Sequence, residues 1–378
     1  MVGEQAELTR INGKFHRPLA RLLLFFLFLV AAEASFNGYY EKWGLKDGAD
    51  RLSVPLMVDG TGHRPFVYRQ LLPKIVNVID DALPTPVKSR LLDRLLEPAP
   101  ANPGRTNLGM RQGDADNPDY AIRYYLLYNL TFAAFLATLF LMRTLCLQEG
   151  FSAATATATP IIFALFLPFL LSMGGYFYDF TELFFFVGAL CLCRSRLKWL
   201  LIPVAVIATL NKESFFFFIF CLTPFVIKDR KDVPGLAILA GALLASGLTH
   251  LLNKAQYVAN AGANVQIWLW GNIEFYLNPL SLLRLERTYN LIGWAGYSLV
   301  TLVLVGATAR LGWRYLGMPM KRHVYLATAV NLPLFLLFCH PGETRNLSLL
   351  FPSLALFIAG TAQYYFDSVS RSEAPPAA

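Results

Sequence analysis

Charge is scarce in this chain. Asp, Glu, Lys and Arg make up 15% of its 378 residues, against about 25% in soluble domains. With 55% hydrophobic residues and a mean hydropathy of +0.45, this shortage excludes an ordinary soluble enzyme and implies a multi-pass membrane protein. Cysteine is scarce too, at five residues. Cys146, Cys191, Cys193 and Cys221 fall in or near the halves of apolar segments expected to face the cytoplasm, and Cys339 lies near the opposite side, so no disulfide is expected. Cys191 and Cys193 are too closely spaced, and too deep in apolar sequence, to read as a zinc site. Gly-rich phosphate loops, a Ser-hydrolase elbow and Cys–His patterns are all lacking. Asn129-Leu-Thr131 matches a glycosylation acceptor but falls inside an apolar segment.

The net charge is +8. Lys and Arg gather at the ends of apolar segments rather than on one face beside stacking aromatics, which argues against nucleic acid and for orientation in a membrane. Aromatics make up 14%, with 30 Phe. Runs such as Phe184-Phe185-Phe186 and Phe215 to Phe218 suit lipid contact. The apolar run Leu19 to Ala34 has no clear cleavage site and reads as a first transmembrane helix over 18–36. Arg10, Lys14, Arg17 and Arg21 hold its start in the cytoplasm.

The expected fold is all-α: a single integral membrane domain, 1–378, of about ten spans, with both termini cytoplasmic. Spans are expected near 120–143, 154–172, 180–193, 235–252, 291–310, 323–339 and 347–365. The segment 198–227 reads as two short helices meeting at Asn211-Lys212-Glu213-Ser214, because Arg194 to Lys198 and Lys228 to Lys231 are both basic and belong on the same side. Residues 37–118 form an outer loop. Within it, 65–83 place Leu71, Leu72, Ile75, Val76 and Ile79 on one helical face, 86–97 form a short amphipathic segment, and 98–118 read as a flexible loop. A second outer loop covers 253–290, with Trp268, Trp270, Tyr276 and Tyr289 as interfacial anchors.

With this topology the polar groups of the chain converge on the outer side. Ionisable residues between apolar runs are costly, so a functional reading comes first. Asp179 and Glu182 lie three residues apart at a helix start, where a purely structural role in the helix dipole competes with catalysis or substrate binding. Asn211, Lys212 and Glu213 bring amide, ammonium and carboxylate to a helix break, with mutual neutralisation as the bland alternative. His340, Glu343 and Arg345 surround a Pro341-Gly342 turn. Metal ligation there is the weaker reading, since no second His lies nearby at ligand spacing. In the first loop Asp59 precedes Arg64, Tyr68 and Arg69, and the two arginines suit bidentate phosphate or carboxylate binding.

The layout resembles the GT-C superfamily of bacterial membrane glycosyltransferases. Arg64-Pro-Phe-Val-Tyr-Arg-Gln-Leu-Leu-Pro73 is similar to the aromatic-proline segment that begins the next helix in several members. Ala208-Thr-Leu-Asn-Lys-Glu-Ser214 resembles a break midway through such proteins. The paired acidic dipeptide usual in the first loop is absent unless Asp80-Asp81 fills that role. The resemblance implies inverting transfer of a sugar from a polyprenyl-phosphate donor to a glycan or lipid acceptor of the cell envelope, on the outer face of the bacterial inner membrane. It implies Asp59 as catalytic base, with Asp179 as its rival. Arg64, Arg69, Lys212 and Arg345 would hold phosphate, while Tyr68, Glu182, Asn211, Glu213, His340 and Glu343 would orient sugar or acceptor. No cofactor is fixed, and a divalent cation is left open. Membrane lipids are expected partners; nucleic acid is not. The alternatives are a transporter or flippase for a lipid-linked or anionic solute, and a non-catalytic subunit of an envelope assembly.

Overall fold

A segment that enters a bilayer must satisfy its backbone internally, which favours helices wherever the sequence stays apolar. The computed structural model describes residues 2–97, 114–229, 231–263 and 265–372. About 75% of it is helical, with almost no sheet. In order it contains α1 (Val2–Trp43), α2 (Val54–Val58), α3 (Leu71–Ala82), α4 (Thr85–Leu96), α5 (Ala121–Gln148), α6 (Ala153–Leu170), α7 (Phe177–Cys193), α8 (Leu201–Asn211), α9 (Ser214–Cys221), α10 (Thr223–Val226), α11 (Val233–Gln256), α12 (Leu269–Leu277), a hairpin of β1 (Leu285–Thr288) and β2 (Leu291–Trp294), α13 (Leu299–Gly312), α14 (Met318–Phe338), a 3-10 segment (Thr344–Leu350) and α15 (Phe351–Ser372). Among the described residues, five stretches are long and apolar enough to cross a membrane: Pro18–Trp43, Ala121–Gln148, Ala153–Leu170, Val233–Gln256 and Thr344–Val369.

Within these helices several threonine hydroxyls are satisfied locally. Thr131, Thr138, Thr159 and Thr209 donate to the carbonyls of Leu127, Ala134, Thr155 and Ala205, one turn back, which hides each hydroxyl from apolar surroundings. Ser152, Asp232 and Ser298 cap the starts of α6, α11 and α13 through side-chain oxygens. At the centre, Phe180 of α7 meets Phe36 and Tyr39 of α1 and Phe135 of α5 edge-on, at centroid distances of 5.3, 4.7 and 5.0 Å. Such pairs add to the area they bury.

Glycine sets the crossing of α13 and α15. A Cβ at Gly360 would lie 2.7 Å from the Gly312 Cα, and one at Gly312 would lie 2.4 Å from the Phe357 carbonyl oxygen. Close backbone approach of this kind depends on small residues. Gly360→Val is therefore expected to force the two helices apart, at a cost of about 1–3 kcal/mol or more. A reduced thermal midpoint in detergent checks this; an unchanged one would mean that the crossing is not tight.

The first loop is helical where the spacing predicts. α3 buries Leu72 and Val76 and leaves Ile75 exposed, and α4 has no buried residue. Each has 12 residues, roughly 18 Å of helix, too short to span a bilayer. Residues 98–113 of the expected flexible loop lie outside the described residues. Asp80, offered as part of an acidic pair, is 2% exposed and is held by Lys88 and Arg123 at 2.8 and 2.9 Å. It bridges two cations, one on α4 and one on α5.

Two expectations are corrected. α1 continues through residues 37–43, which the sequence places in the loop. Leu291–Trp294 is a strand rather than a helix start. Tyr289 and Asn290 adopt φ of 54° and 59°, the two-residue turn that matches strand twist. Glu286 of β1 is anchored by Lys42 at 2.9 Å and by the Ser172 hydroxyl at 2.7 Å. The Tyr289 ring covers Gly38. An apolar run read on its own does not distinguish strand from helix; the turn and the Glu286 anchor decide it.

Candidate functional site

The centre is built around a helix interruption. α8 ends at Asn211, Lys212 is extended (φ −162°, ψ 135°), and α9 begins at Ser214. This is the break expected from the sequence. Two hydrogen bonds lock it: the Gln70 N–H donates to the Leu210 carbonyl at 2.9 Å, and the Asn211 amide donates to the Tyr178 carbonyl at 3.0 Å. Asn211 therefore acts through the backbone of α7.

Asp179 stands in the first turn of α7 and accepts from the Tyr176 N–H at 3.0 Å. That bond caps the helix and fixes the carboxylate. Lys212 Nζ lies 3.1 Å from Asp179 Oδ1 and 2.8 Å from Glu182 Oε2. The Ser214 hydroxyl donates to the other Glu182 oxygen. Arg345 Nη1 reaches Asp179 at 3.3 Å, and its Nη2 lies 3.6 Å from Glu343. Arg345 is positioned by its 3-10 segment, which is tied down by Thr344 to the Leu170 carbonyl at 2.6 Å and by the Asn331 amide to the Asn346 carbonyl at 2.8 Å. From the first loop, Arg69 donates to the Tyr178 hydroxyl at 2.7 Å and pairs with Glu213 at 2.7 Å. Arg69, Asp179, Glu182, Lys212 and Arg345 are all buried. Charges withdrawn from water this far persist only when matched.

Aromatic rings interleave with the cations. Tyr176 and Tyr178 stack at 5.2 Å, with planes 5° apart. The Arg345 guanidinium lies 4.2 Å from the Tyr176 ring centre, and that of Arg69 lies 4.7 Å from the Tyr178 ring centre. Lys46 Nζ sits 4.4 Å over Trp43 and 4.9 Å over Tyr176. Trp43, Lys46, Phe66, Tyr176, Glu213 and Glu343 are half-buried and form a rim above the buried charges. Gly175 lets the rim close, since a Cβ there would fall 2.5 Å from Trp43 Cδ1. Beside Asp179, Glu182, Arg345 and Ser348 lies a cavity of about 10 Å³, room for a water-sized group. The cations and carboxylates that the sequence reading gives to substrate are here engaged with one another.

Of the site residues read from the sequence, Arg69, Asp179, Glu182, Asn211, Lys212, Glu213, Glu343 and Arg345 come together. Asp59 accepts from the Tyr120 hydroxyl at 2.5 Å and lies 3.8 Å from Arg123. It thus belongs to the neighbouring cluster that contains Asp80. Arg64 donates to the Gly262 carbonyl at 2.8 Å and also bonds Tyr68. The His340 ring packs on Trp268 at 4.8 Å, and its Nδ1 contacts the Pro341 carbonyl at 3.0 Å. Lys46, Trp43, Tyr176 and Tyr178 are not legible as site residues from sequence. The one local signal for them is Gly174-Gly175 before an aromatic helix start. The five cysteines are free. Among the described residues no group of His, Cys, Asp and Glu is disposed to hold a metal ion.

Burial, and next the nearby Arg345, push the Lys46 ammonium down to about 8. An unfolded lysine titrates near 10.4, so the folded state binds the proton less tightly. The sign follows: the charged form opposes folding below pH ~8, and this penalty fades as pH rises toward ~10.4. Wild-type stability is expected to gain on that of Lys46→Gln between pH 8 and 10 in thermal melts. A difference that stays flat with pH would contradict the placement of Lys46.

No family model, curated protein or solved structure matches the chain.

Proposed function

We propose that this protein is a bacterial inner-membrane glycosyltransferase of the GT-C type, with about ten spans and both termini in the cytoplasm. It moves a sugar from a polyprenyl-phosphate donor to a cell-envelope glycan or lipid acceptor on the outer face. One observation carries the reading: Lys212 and Arg345 bracket Asp179 at a helix break, under a rim of Lys46 and aromatic rings. Cations beside a carboxylate suit a reaction in which a phosphate leaves while an acceptor hydroxyl loses its proton. Aromatic faces suit a sugar ring.

In the proposed step the acceptor oxygen bonds to the anomeric carbon, and the bond from that carbon to the phosphate oxygen breaks. The electron pair leaves with the polyprenyl phosphate, where Arg345, Lys212 and Lys46 stabilise it. The hydroxyl proton passes to a carboxylate. Asp179 is the first candidate because it lies beside the cations that would hold the phosphate, which weaken it as a base until donor draws them away, and Asp59 is the second candidate. An incoming phosphate competes with Asp179 for Arg345 and so frees the carboxylate when donor binds. Arg69 holds Glu213 and Tyr178 and positions the stacked tyrosines.

A second reading, a transporter or flippase for a lipid-linked or anionic solute, draws on the same buried charges around a water-sized cavity, since such charges also line transport paths. Purified protein assayed with a panel of polyprenyl-phosphate sugars and envelope acceptors separates the two. A glycosylated acceptor with released polyprenyl phosphate supports the transferase. Uptake of an anionic solute into proteoliposomes, without bond cleavage, supports the transporter.

A further inference from the structure

The β1–β2 hairpin has two unlike faces. Its register pairs Leu285 with Trp294 and Arg287 with Ile292, and the side chains of directly paired and alternate residues share a face. These four are exposed, Ile292 by 79% and Leu285 by 56%. Arg287 is the one charge among them. On the other face Thr288 is buried and Glu286 bonds Lys42 and Ser172.

The helices on that inner side fix the depth of the hairpin. The Tyr289 hydroxyl donates to the Leu165 carbonyl of α6 at 3.0 Å, and its ring lies 2.6 Å from where a Cβ on Gly38 of α1 would fall. Leu165 is five residues short of the end of the candidate span Ala153–Leu170, and Gly38 is five short of the end of Pro18–Trp43. The Trp43 indole N–H donates to the Leu171 carbonyl at 2.7 Å, so the two ends lie at one level. The α6 span has 18 residues, about 27 Å of helix against a hydrocarbon core of ~30 Å. Five residues of helix measure about 7.5 Å. The turn of the hairpin therefore sits inside the level at which these spans leave the hydrocarbon.

We propose that the exposed face of this hairpin is a membrane-insertion surface. Leu285, Ile292 and Trp294 enter the acyl border of the leaflet at that end of the spans, and Arg287 extends its stem along the face to place its charge among the headgroups. Amphipathic helices at a membrane surface bury their apolar sides about 5–10 Å into the headgroup–acyl boundary, and the contacts with α1 and α6 set the hairpin at that depth. The composition of the face selects lipid over a second copy of the chain. Pairing two such faces would bring together two Arg287 side chains and no carboxylate, which a protein interface does not repay. The surface is separate from the Asp179 centre and does not depend on the function proposed for it.

The test uses the full chain with Cys339→Ala, the other four cysteines being buried. It is spin-labelled at Ile292→Cys or at Leu285→Cys, both exposed positions that tolerate a label, and reconstituted into phosphatidylcholine vesicles. Relaxation by oxygen, which concentrates among acyl chains, is compared with relaxation by a water-soluble nickel chelate present on both sides. Both labels are expected to respond to oxygen several-fold more than to nickel. A label at Asp50→Cys, in the exposed stretch after α1, is expected to show the reverse order. Three results would each overturn the proposal. Nickel dominating at Ile292 or Leu285 would put the face in water. A weak response to both reagents would put it under another protein surface. An oxygen-dominated label at Asp50 would mean that the face lies no deeper than the loop beside it.

Discussion

Lys212→Ala is expected to be among the most damaging single substitutions in this chain, lowering stability by about 3–5 kcal/mol. The ammonium is the cation shared by Asp179 and Glu182, at 3.1 and 2.8 Å, and both carboxylates are buried. Removal leaves Asp179 with Arg345, while Glu182 keeps only the Ser214 hydroxyl. A buried carboxylate without a cation loses far more than the net worth of the pair, because its hydration is not returned. This predicts an asymmetric rescue. Adding Glu182→Gln to Lys212→Ala should recover much of the loss, whereas adding Asp179→Asn should recover little, because Glu182 still lacks a cation while Arg345 keeps Glu343. Unfolding in denaturant, followed by tryptophan fluorescence in detergent, reads both. A Lys212→Ala protein as stable as wild type would mean that the three groups do not share one buried site.

Asp179→Asn is expected to lower sugar transfer by about 10²–10⁴-fold, the range for loss of a general base or of the charge that orders a cationic site. The amide preserves shape and can keep the cap on the Tyr176 N–H, so the effect should fall on turnover more than on folding. Asp59→Asn separates the two base candidates. Asp59 is bonded to Tyr120 near Arg123, so its loss is expected to cost less than tenfold if Asp179 is the base. If Asp59→Asn alone abolishes transfer, the base moves to the first loop. Full turnover by both variants would remove the mechanism.

Much of this centre was legible in the sequence because buried charge in an apolar chain is conspicuous. Lys212 and Glu213 between two apolar half-segments predict a break, and α8 and α9 meet there. Asp179, Glu343 and Arg345 stand out for the same reason. The partners of each charge were not legible. Arg69 pairs with Glu213 and Lys212 with Asp179 across long stretches of chain, and no local period encodes such contacts. Lys46 and Tyr176 escaped because a lysine and an aromatic near helix ends look like ordinary interfacial anchors. The β1–β2 hairpin escaped because Leu291 and Ile292 continue an apolar run, and only Tyr289 and Asn290 in left-handed backbone reverse the chain.

The most direct test places the whole protein in proteoliposomes of known orientation, with a polyprenyl-phosphate sugar donor and acceptor supplied on one side only. Glycosylated acceptor should form when the side bearing Lys46 and Glu343 faces the donor, and should disappear with Asp179→Asn in protein that remains folded. Product formed only from the opposite side, or no product from any donor while wild-type protein transports an anionic solute, would contradict the account.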